Sequence, residues 1–187
     1  MNEKHILVVY GTRQTATEEI ALFLGGFLEE KGLKVTYCNL SKQEEQNWPS
    51  IKNYDSLIVG SGIYDKKWLE EPKKYLSKTK SLLEGKNLAI FVSTSNPDDK
   101  PDDENLLNIY IQKPLENLEI QPKISMIFGG YTSIIDDGCA KGFDKLFTNM
   151  IIGKNPKHEV SIRNDSRDWR QIKSFGERIL EIFSNNN

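Results

Sequence analysis

Two cysteines and two histidines among 187 residues leave little material for metal or disulfide chemistry. Cys38 and Cys139 stand far apart, with no CxxC pair and no histidine at ligand spacing. Structural zinc and a disulfide framework are disfavoured, and such cysteine usage fits a reducing cytoplasmic compartment. His5 and His158 read as ordinary surface histidines. An excess of charge is lacking too: 25 basic residues face 27 acidic ones, a formal net charge of −2. That balance removes the electrostatic case for a general nucleic-acid binder. No apolar run approaches the roughly 20 residues of a bilayer span. The start, Met1 to His5, lacks the basic, apolar and small-residue series of a signal peptide. Two familiar phosphate loops are also missing. Without GxxxxGK[ST] there is no lysine and magnesium-binding hydroxyl for a nucleoside triphosphate, and without GxGxxG no close approach to a dinucleotide pyrophosphate.

What is present is an alternation. Five short apolar runs recur: Ile6 to Tyr10, Val35 to Cys38, Leu57 to Val59, Leu88 to Val92 and Ile124 to Phe128. They are nearly continuous in apolarity, as strands are when helices cover both faces of a parallel sheet. Between the first two, Ile20, Ala21, Leu24, Phe27 and Leu28 recur at helical spacing, with Glu18 and Glu19 in the first turn and Gly32 as a stop. Trp169, Ile172, Phe175, Ile179 and Phe183 repeat the pattern, with Ser166 or Asp165 as the expected cap. Further helices are expected from Pro72 to Leu83 and from Asp103 to Lys113, the latter ending because Pro114 cannot continue it. Gly142 to Ile152 reads as an extra amphipathic helix bearing Phe143, Leu146, Phe147, Met150 and Ile151, either packed on the body or serving as a docking or membrane face.

Strands alternating with helices imply right-handed βαβ units and a doubly wound three-layer sheet, one domain over residues 1–187. Such sheets bind ligands beyond the carboxyl ends of their strands. The loops to inspect are then Gly11–Ala16, Ser61–Lys67, Ser93–Asp102 and Gly129–Gly138. The first of them joins a strand to a helix and is rich in hydroxyls. A helix start carries amide N–H groups without intrahelical acceptors and a dipole that favours negative charge. Phosphate is a natural occupant, and a loop with no obligatory lysine suits a phosphate monoester. The alternative is a threonine-rich helix cap without a ligand.

The run Val8-Val9-Tyr10-Gly11-Thr12-Arg13-Gln14-Thr15-Ala16-Thr17-Glu18-Glu19-Ile20-Ala21 resembles the flavodoxin fingerprint, with Thr12, Thr17 and Ala21 at its expected positions. Thr15 departs from it, since the family usually has a small residue there. Nearly the whole chain also resembles a narrower group of long-chain flavodoxin-like proteins, the menaquinone-dependent protoporphyrinogen IX dehydrogenase family. That likeness is carried by Tyr10-Gly11-Thr12-Arg13, by Tyr54-Asp55 leading to Ile58-Val59-Gly60-Ser61-Gly62-Ile63, by Asp168-Trp169 and by the position of the extra segment.

The resemblance implies a sheet of five parallel strands in the order 2-1-3-4-5, with an extra helical segment after strand 5, and FMN as cofactor. The phosphate shell would be Thr12, Arg13, Gln14, Thr15, Ala16 and Thr17. The ring would lie against Ser61, Gly62, Ile63 and Tyr64 of the second loop and Ser93, Thr94, Ser95 and Asn96 of the third. Tyr64 is the candidate stacking ring, ahead of Trp68; the rival reading is that both merely pack at a helix entry. The third loop holds no aromatic, which would leave one flavin face open to a substrate unless Tyr131 fills the gap. The acidic run Asp98, Asp99, Asp102, Asp103 and Glu104 reads as a solvated loop. Asp136 and Asp137 in the fourth loop are a poor reception for porphyrinogen carboxylates or anionic lipid. No catalytic acid or base stands out and no metal is expected.

Three functions stay open. The first is a cytoplasmic FMN-dependent oxidoreductase acting on a quinone-like or porphyrinogen substrate. The second is a flavodoxin-type carrier passing electrons to a redox partner protein. The third is a scaffold of the same fold without its cofactor. Peripheral membrane contact has only weak support in the sequence, and nothing in it sets the oligomeric state.

Overall fold

A computed structural model describes residues 4–96, 99, 103–133, 162, 163 and 165–184. Cys139, His158, Asp136, Asp137 and the helix expected over 142–152 lie outside the described residues. Strand β1 (His5–Gly11) pairs in parallel with β2 (Lys34–Asn39) on one side and β3 (Ser56–Tyr64) on the other. Then β3 pairs with β5 (Asn87–Thr94), and β5 with β6 (Ile124–Gly129), giving the order β2-β1-β3-β5-β6. Counting the parallel strands alone, this is the expected 2-1-3-4-5. The remaining strand of this sheet, β4 (Lys67–Trp68), is antiparallel to the end of β3. A short pair, β7 (Thr132–Ser133) and β8 (Ile162–Arg163), stands apart.

The apolar runs are continuous because both faces are buried. Ile6, Val8, Ile58, Ala89 and Phe91 pack on one face beneath α1 (Ala16–Glu30) and the last helix, α5 (Trp169–Ser184). Leu7, Val9, Leu57, Val59, Ile90 and Val92 pack on the other, with Tyr75 and Leu76 of α2 (Glu70–Thr79) and with Tyr110, Ile111 and Leu115. Each Val, Leu, Ile or Phe among them contributes roughly 1.5–3 kcal/mol on burial. Helix α1 stops where expected: Gly32 N–H donates to Glu29 O at 2.9 Å and Leu33 N–H to Leu28 O at 3.2 Å, the two bonds that close a helix on a left-handed residue.

Three local expectations are corrected. The helix expected to end at Lys113 continues: α3 (Glu104–Leu107) passes through a π-turn (Asn108–Gln112) into α4 (Lys113–Leu118), with Pro114 in the first turn of α4. Proline has no N–H to give the carbonyl four residues back. That carbonyl, of Tyr110, instead accepts the indole N–H of Trp68. Next, most of the expected second loop is strand. Ser61 and Gly62 pair with Val92 and Ser93, Ile63 and Tyr64 pair with Trp68 and Lys67, and only Asp65 and Lys66 turn, at φ 48° and 59°. Two positive φ values in a two-residue loop match the twist of a hairpin, but Asp-Lys lacks the glycine that normally signals one. Finally, α5 is capped by Asp168, whose Oδ1 accepts from Arg170 N at 2.9 Å and Gln171 N at 3.3 Å, rather than by Ser166 or Asp165.

Trp68→Phe keeps an aromatic ring but removes the N–H that the Tyr110 carbonyl accepts in place of the missing Pro114 amide. We expect it to lower stability by about 1–3 kcal/mol, the cost of a buried unpaired acceptor. Urea unfolding of the two proteins measures the difference.

Candidate functional site

The parallel strands end together, and their carboxyl ends deliver four loops around a pocket of about 440 Å³, counting its open mouth. Thr12, Arg13, Gln14, Ala16 and Thr17 line it from the first loop, Gly62, Ile63 and Tyr64 from β3, and Ser93 and Ser95 from the third loop. Leu69, Gly130 and Tyr131 complete the wall. Gly130 and Tyr131 fall in the fourth loop marked for inspection, whereas Leu69, an apolar residue at a helix entry, carried no signal. Thr15, Ser61, Thr94 and Asn96 are not in the lining, and three of them have evident structural tasks. Ser61 Oγ accepts from Leu69 N at 3.1 Å and donates to Gly62 O at 3.0 Å, fastening β3 to the entry of α2. Thr94 and Asn96 belong to a clamp described below.

Helix α1 begins with Thr15 as N-cap, and that cap makes no side-chain hydrogen bond. The next amides, of Ala16, Thr17 and Glu18, have no acceptor within the helix. The acids of the first turn do not serve them either. Glu18 Oε1 accepts from the Tyr10 hydroxyl at 3.0 Å, and its carboxylate is held by Lys42 Nζ at 3.0 and 3.2 Å. Glu19 is bonded by the Arg167 guanidinium and by the Tyr131 hydroxyl, the latter at 3.0 Å. The Thr12 amide donates to Ser41 Oγ at 3.1 Å, so Thr12 offers the pocket its hydroxyl. Thr17 and Ser93 share a buried hydrogen bond of 2.8 Å that ties the first loop to the third. Arg13, half-exposed, reaches Glu71 at 2.8 Å.

Gly62 lies where this first turn meets β3. A Cβ there would stand 3.2 Å from Thr17 Oγ1, so the absent side chain keeps the cradle open. Tyr64 rises beside it on the hairpin and is 69% exposed. Trp68 is buried beneath the sheet with its N–H committed to Tyr110, and so is removed from the pocket.

The third loop is organised by Asp99. Its carboxylate accepts from Thr94 Oγ1 at 2.6 Å, Asn96 Nδ2 at 2.9 Å and Tyr110 OH at 3.0 Å. Asp103, from the same acidic run, caps α3 by accepting from Asn105 N at 2.8 Å. The solvated-loop reading therefore fails at Asp99, while Asp103 is exposed as expected and serves as a cap, and Asp98 and Asp102 lie outside the described residues. Burial, and then the Asp99 carboxylate, push the Tyr110 phenol from 10.0 up to about 12.

In the fourth loop the Tyr131 ring is buried, with the Arg167 guanidinium 4.3 Å from its centroid. Arg167 was not singled out in the sequence, because a lone arginine in a polar stretch gives no sign of burial.

This architecture defines a doubly wound α/β protein with a pocket at the carboxyl ends of its parallel strands. The chain belongs to the flavodoxin family: the Flavodoxin domain model matches residues 7–134. It is a flavodoxin-like flavoprotein, and its likeness to one curated relative runs the length of both chains. It is 25% identical over 183 residues to the protoporphyrinogen IX dehydrogenase [quinone] of Escherichia coli strain K12, covering 94% of each chain. Among solved structures, rubredoxin oxygen:oxidoreductase from Desulfovibrio gigas superposes with TM-score 0.59 at 15% identity, over 98% of this chain but only 37% of that one. A flavodoxin from the domain Archaea superposes with TM-score 0.52 at 16% identity, over 97% and 99%. At these identities the structures establish the fold. Among the described residues, no helix is long and apolar enough to cross a membrane, and no cluster of side chains is suited to a metal ion.

The Tyr110 phenol titrates higher in the folded protein than in the unfolded chain. Its contribution to stability is therefore complete below about pH 10 and fades as pH rises through about 12. Tyr110→Phe is expected to be less stable than wild type by a constant amount below that window and by a shrinking amount within it. Urea unfolding over a pH series checks the sign.

Proposed function

We propose that this protein is an FMN-dependent oxidoreductase whose substrate is a quinone-like or porphyrinogen-type small molecule. The observation that carries the cofactor is a helix N-terminus without a side-chain cap, opening into a pocket walled by hydroxyls. The donor set suits a phosphate monoester: main-chain N–H groups of residues 13–17 with the Thr12 and Thr17 hydroxyls, and no acid within residues 12–17. Beyond it, Gly62, Ile63 and Ser93 offer a slot in which a flat ring system has main-chain and hydroxyl partners. The same residues suit FMN better than free riboflavin, because the anion-seeking end of the pocket would otherwise go unused.

When bound, FMN supplies the electron-transfer chemistry; the chain supplies position and surroundings. The tie between Thr17 and Ser93 fixes the distance between the phosphate end and the ring end. Leu69 and Ile63 exclude water from the floor. Tyr64, on the hairpin, is free to pack against a flat ring. Tyr131 is held by Glu19 and Arg167, and the third loop contributes Ser93 and Ser95 without an aromatic side chain. That leaves an approach for a flat two-electron substrate, and the full-length likeness to a quinone-linked dehydrogenase supports the same class. The second reading, a carrier serving a redox protein, is favoured by the fold shared with solved flavodoxins.

Freshly purified protein should be yellow, with flavin absorption bands and FMN as the extracted species. Thr12→Val should weaken FMN binding by about 1.5–3 kcal/mol, the range for one hydrogen bond to a charged acceptor; an unchanged titration sinks the phosphate assignment. In anaerobic single-turnover mixing, the reduced protein should pass both electrons directly to a soluble quinone. Indifference to quinones combined with rapid reaction with a redox protein supports the carrier instead.

A further inference from the structure

Arg167 has a fully buried side chain, and it lies 148 positions from the acid it binds in the first turn of α1. Its guanidinium is stacked between the rings of Tyr131 and Trp169, with centroids 4.3 and 4.7 Å away. Its Nη1 bonds Glu19, while Nε and Nη2 bond Asp165 at 2.8 and 2.7 Å. The neighbouring backbone is seated just as firmly. A Cβ on Gly129 would stand 2.1 Å from the Ser166 carbonyl oxygen, and Ser166 N donates to Gly130 O at 3.0 Å. Residues 165–168 thus form a strap that fastens the fourth loop to the start of α1.

An acid in the first turn of a helix is drawn to the same positive end that would hold a phosphate. Left unbalanced there, Glu19 would repel a dianion through a partly buried, poorly screened medium. We propose that Arg167 is a positioning residue for the phosphate end of the pocket: by binding Glu19 it neutralises that carboxylate and keeps it from the α1 amides, so that the site discriminates FMN from riboflavin. The proposal rests on the FMN reading above. Glu18, the other first-turn acid, is drawn aside in the same way by Tyr10 and Lys42.

The experiment compares FMN, riboflavin and inorganic phosphate, titrated calorimetrically into flavin-free wild type, Arg167→Gln, Glu19→Gln and the double variant. Arg167→Gln should weaken FMN by about tenfold or more and leave riboflavin within about twofold, since an unpaired buried charge acts on the anion alone. The double variant keeps Asp165 and so carries the same local charge as wild type, and it should regain FMN affinity to within about threefold of wild type. Equal losses for FMN and riboflavin, or a double variant as weak as Arg167→Gln, overturn the proposal and leave Arg167 a fold element. If Arg167→Gln does not fold, Glu19→Gln and the double variant decide: equal FMN affinities support the neutralising role, and a further loss, or failure of the double variant to fold, overturns it. Wild type that binds phosphate but not FMN refutes the FMN reading alone, and phosphate then takes FMN's place in the comparison. Wild type that binds neither refutes both.

Discussion

Among the described residues, the amides that open α1 have no side-chain cap, and the arrangement around them follows from that lack. An exposed helix start is ordinarily satisfied by a side-chain cap or by water. Here Thr15 withholds its hydroxyl, Thr12 gives its amide to Ser41, and the two first-turn glutamates are bound by Tyr10, Lys42, Tyr131 and Arg167. Each contact is unremarkable alone. Together they draw the two first-turn acids and the Thr12 amide away from the helix start, which supports the proposed reading of an external anion there. A threonine-rich cap serving only the helix would show the opposite: hydroxyls or carboxylates turned inward onto residues 16–18.

The sheet makes that helix start part of a pocket. Parallel strands with right-handed crossovers bring all their carboxyl ends to one side. Because β1 lies between β2 and β3, the loops after β1 and β3 diverge to opposite faces and leave a crevice between them. The pairing of Gly62 with Ser93 then places the third loop beside the second, and the Thr17–Ser93 bond closes the circuit back to α1. Loop positions are therefore set by strand register.

What could be read from the sequence follows the same physics. Five strands and the faces of α1 and α5 were legible because burial on both sides of a sheet writes itself as apolar runs and helical periods. The first loop was legible as part of the crevice, which Thr12, Arg13, Gln14, Ala16 and Thr17 line, because hydroxyls between a strand and an amphipathic helix mark either a cap or a ligand loop. The failures share a different cause: they depend on side-chain partners that no apolar run or helical period reveals. The π-turn before Pro114 makes sense only when Trp68, 42 residues upstream, offers its N–H to the stranded carbonyl. Asp99 looked like part of a solvated acidic run, yet Tyr110 and Thr94 converge on it. Arg167 was not singled out, because its burial depends on Tyr131 and Glu19, far away in the chain. The cap of α5 was misplaced by two or three residues because Asp165, Ser166 and Asp168 are all competent cap types, and Arg167 occupies Asp165.

The ties of the loops also bear on how the pocket would bind. Ser41 fastens the first loop from behind, Ser61 the second through Leu69, Asp99 the third, and Ser166 the fourth through Gly130. In each case the group that fixes the loop lies outside the pocket lining. The loops are thereby ordered before any ligand arrives, and a ligand need not supply the ordering free energy itself. Tyr64 is the exception. It sits on a two-residue hairpin, is the one large hydrophobic side chain exposed among the described residues, and has no such fastening at its ring. On the FMN reading proposed above, a site fastened at the phosphate end with one exposed ring at the rim would hold a cofactor firmly and let flat molecules approach and leave. That division supports turnover of a small substrate over a cofactor sealed for outer-sphere transfer.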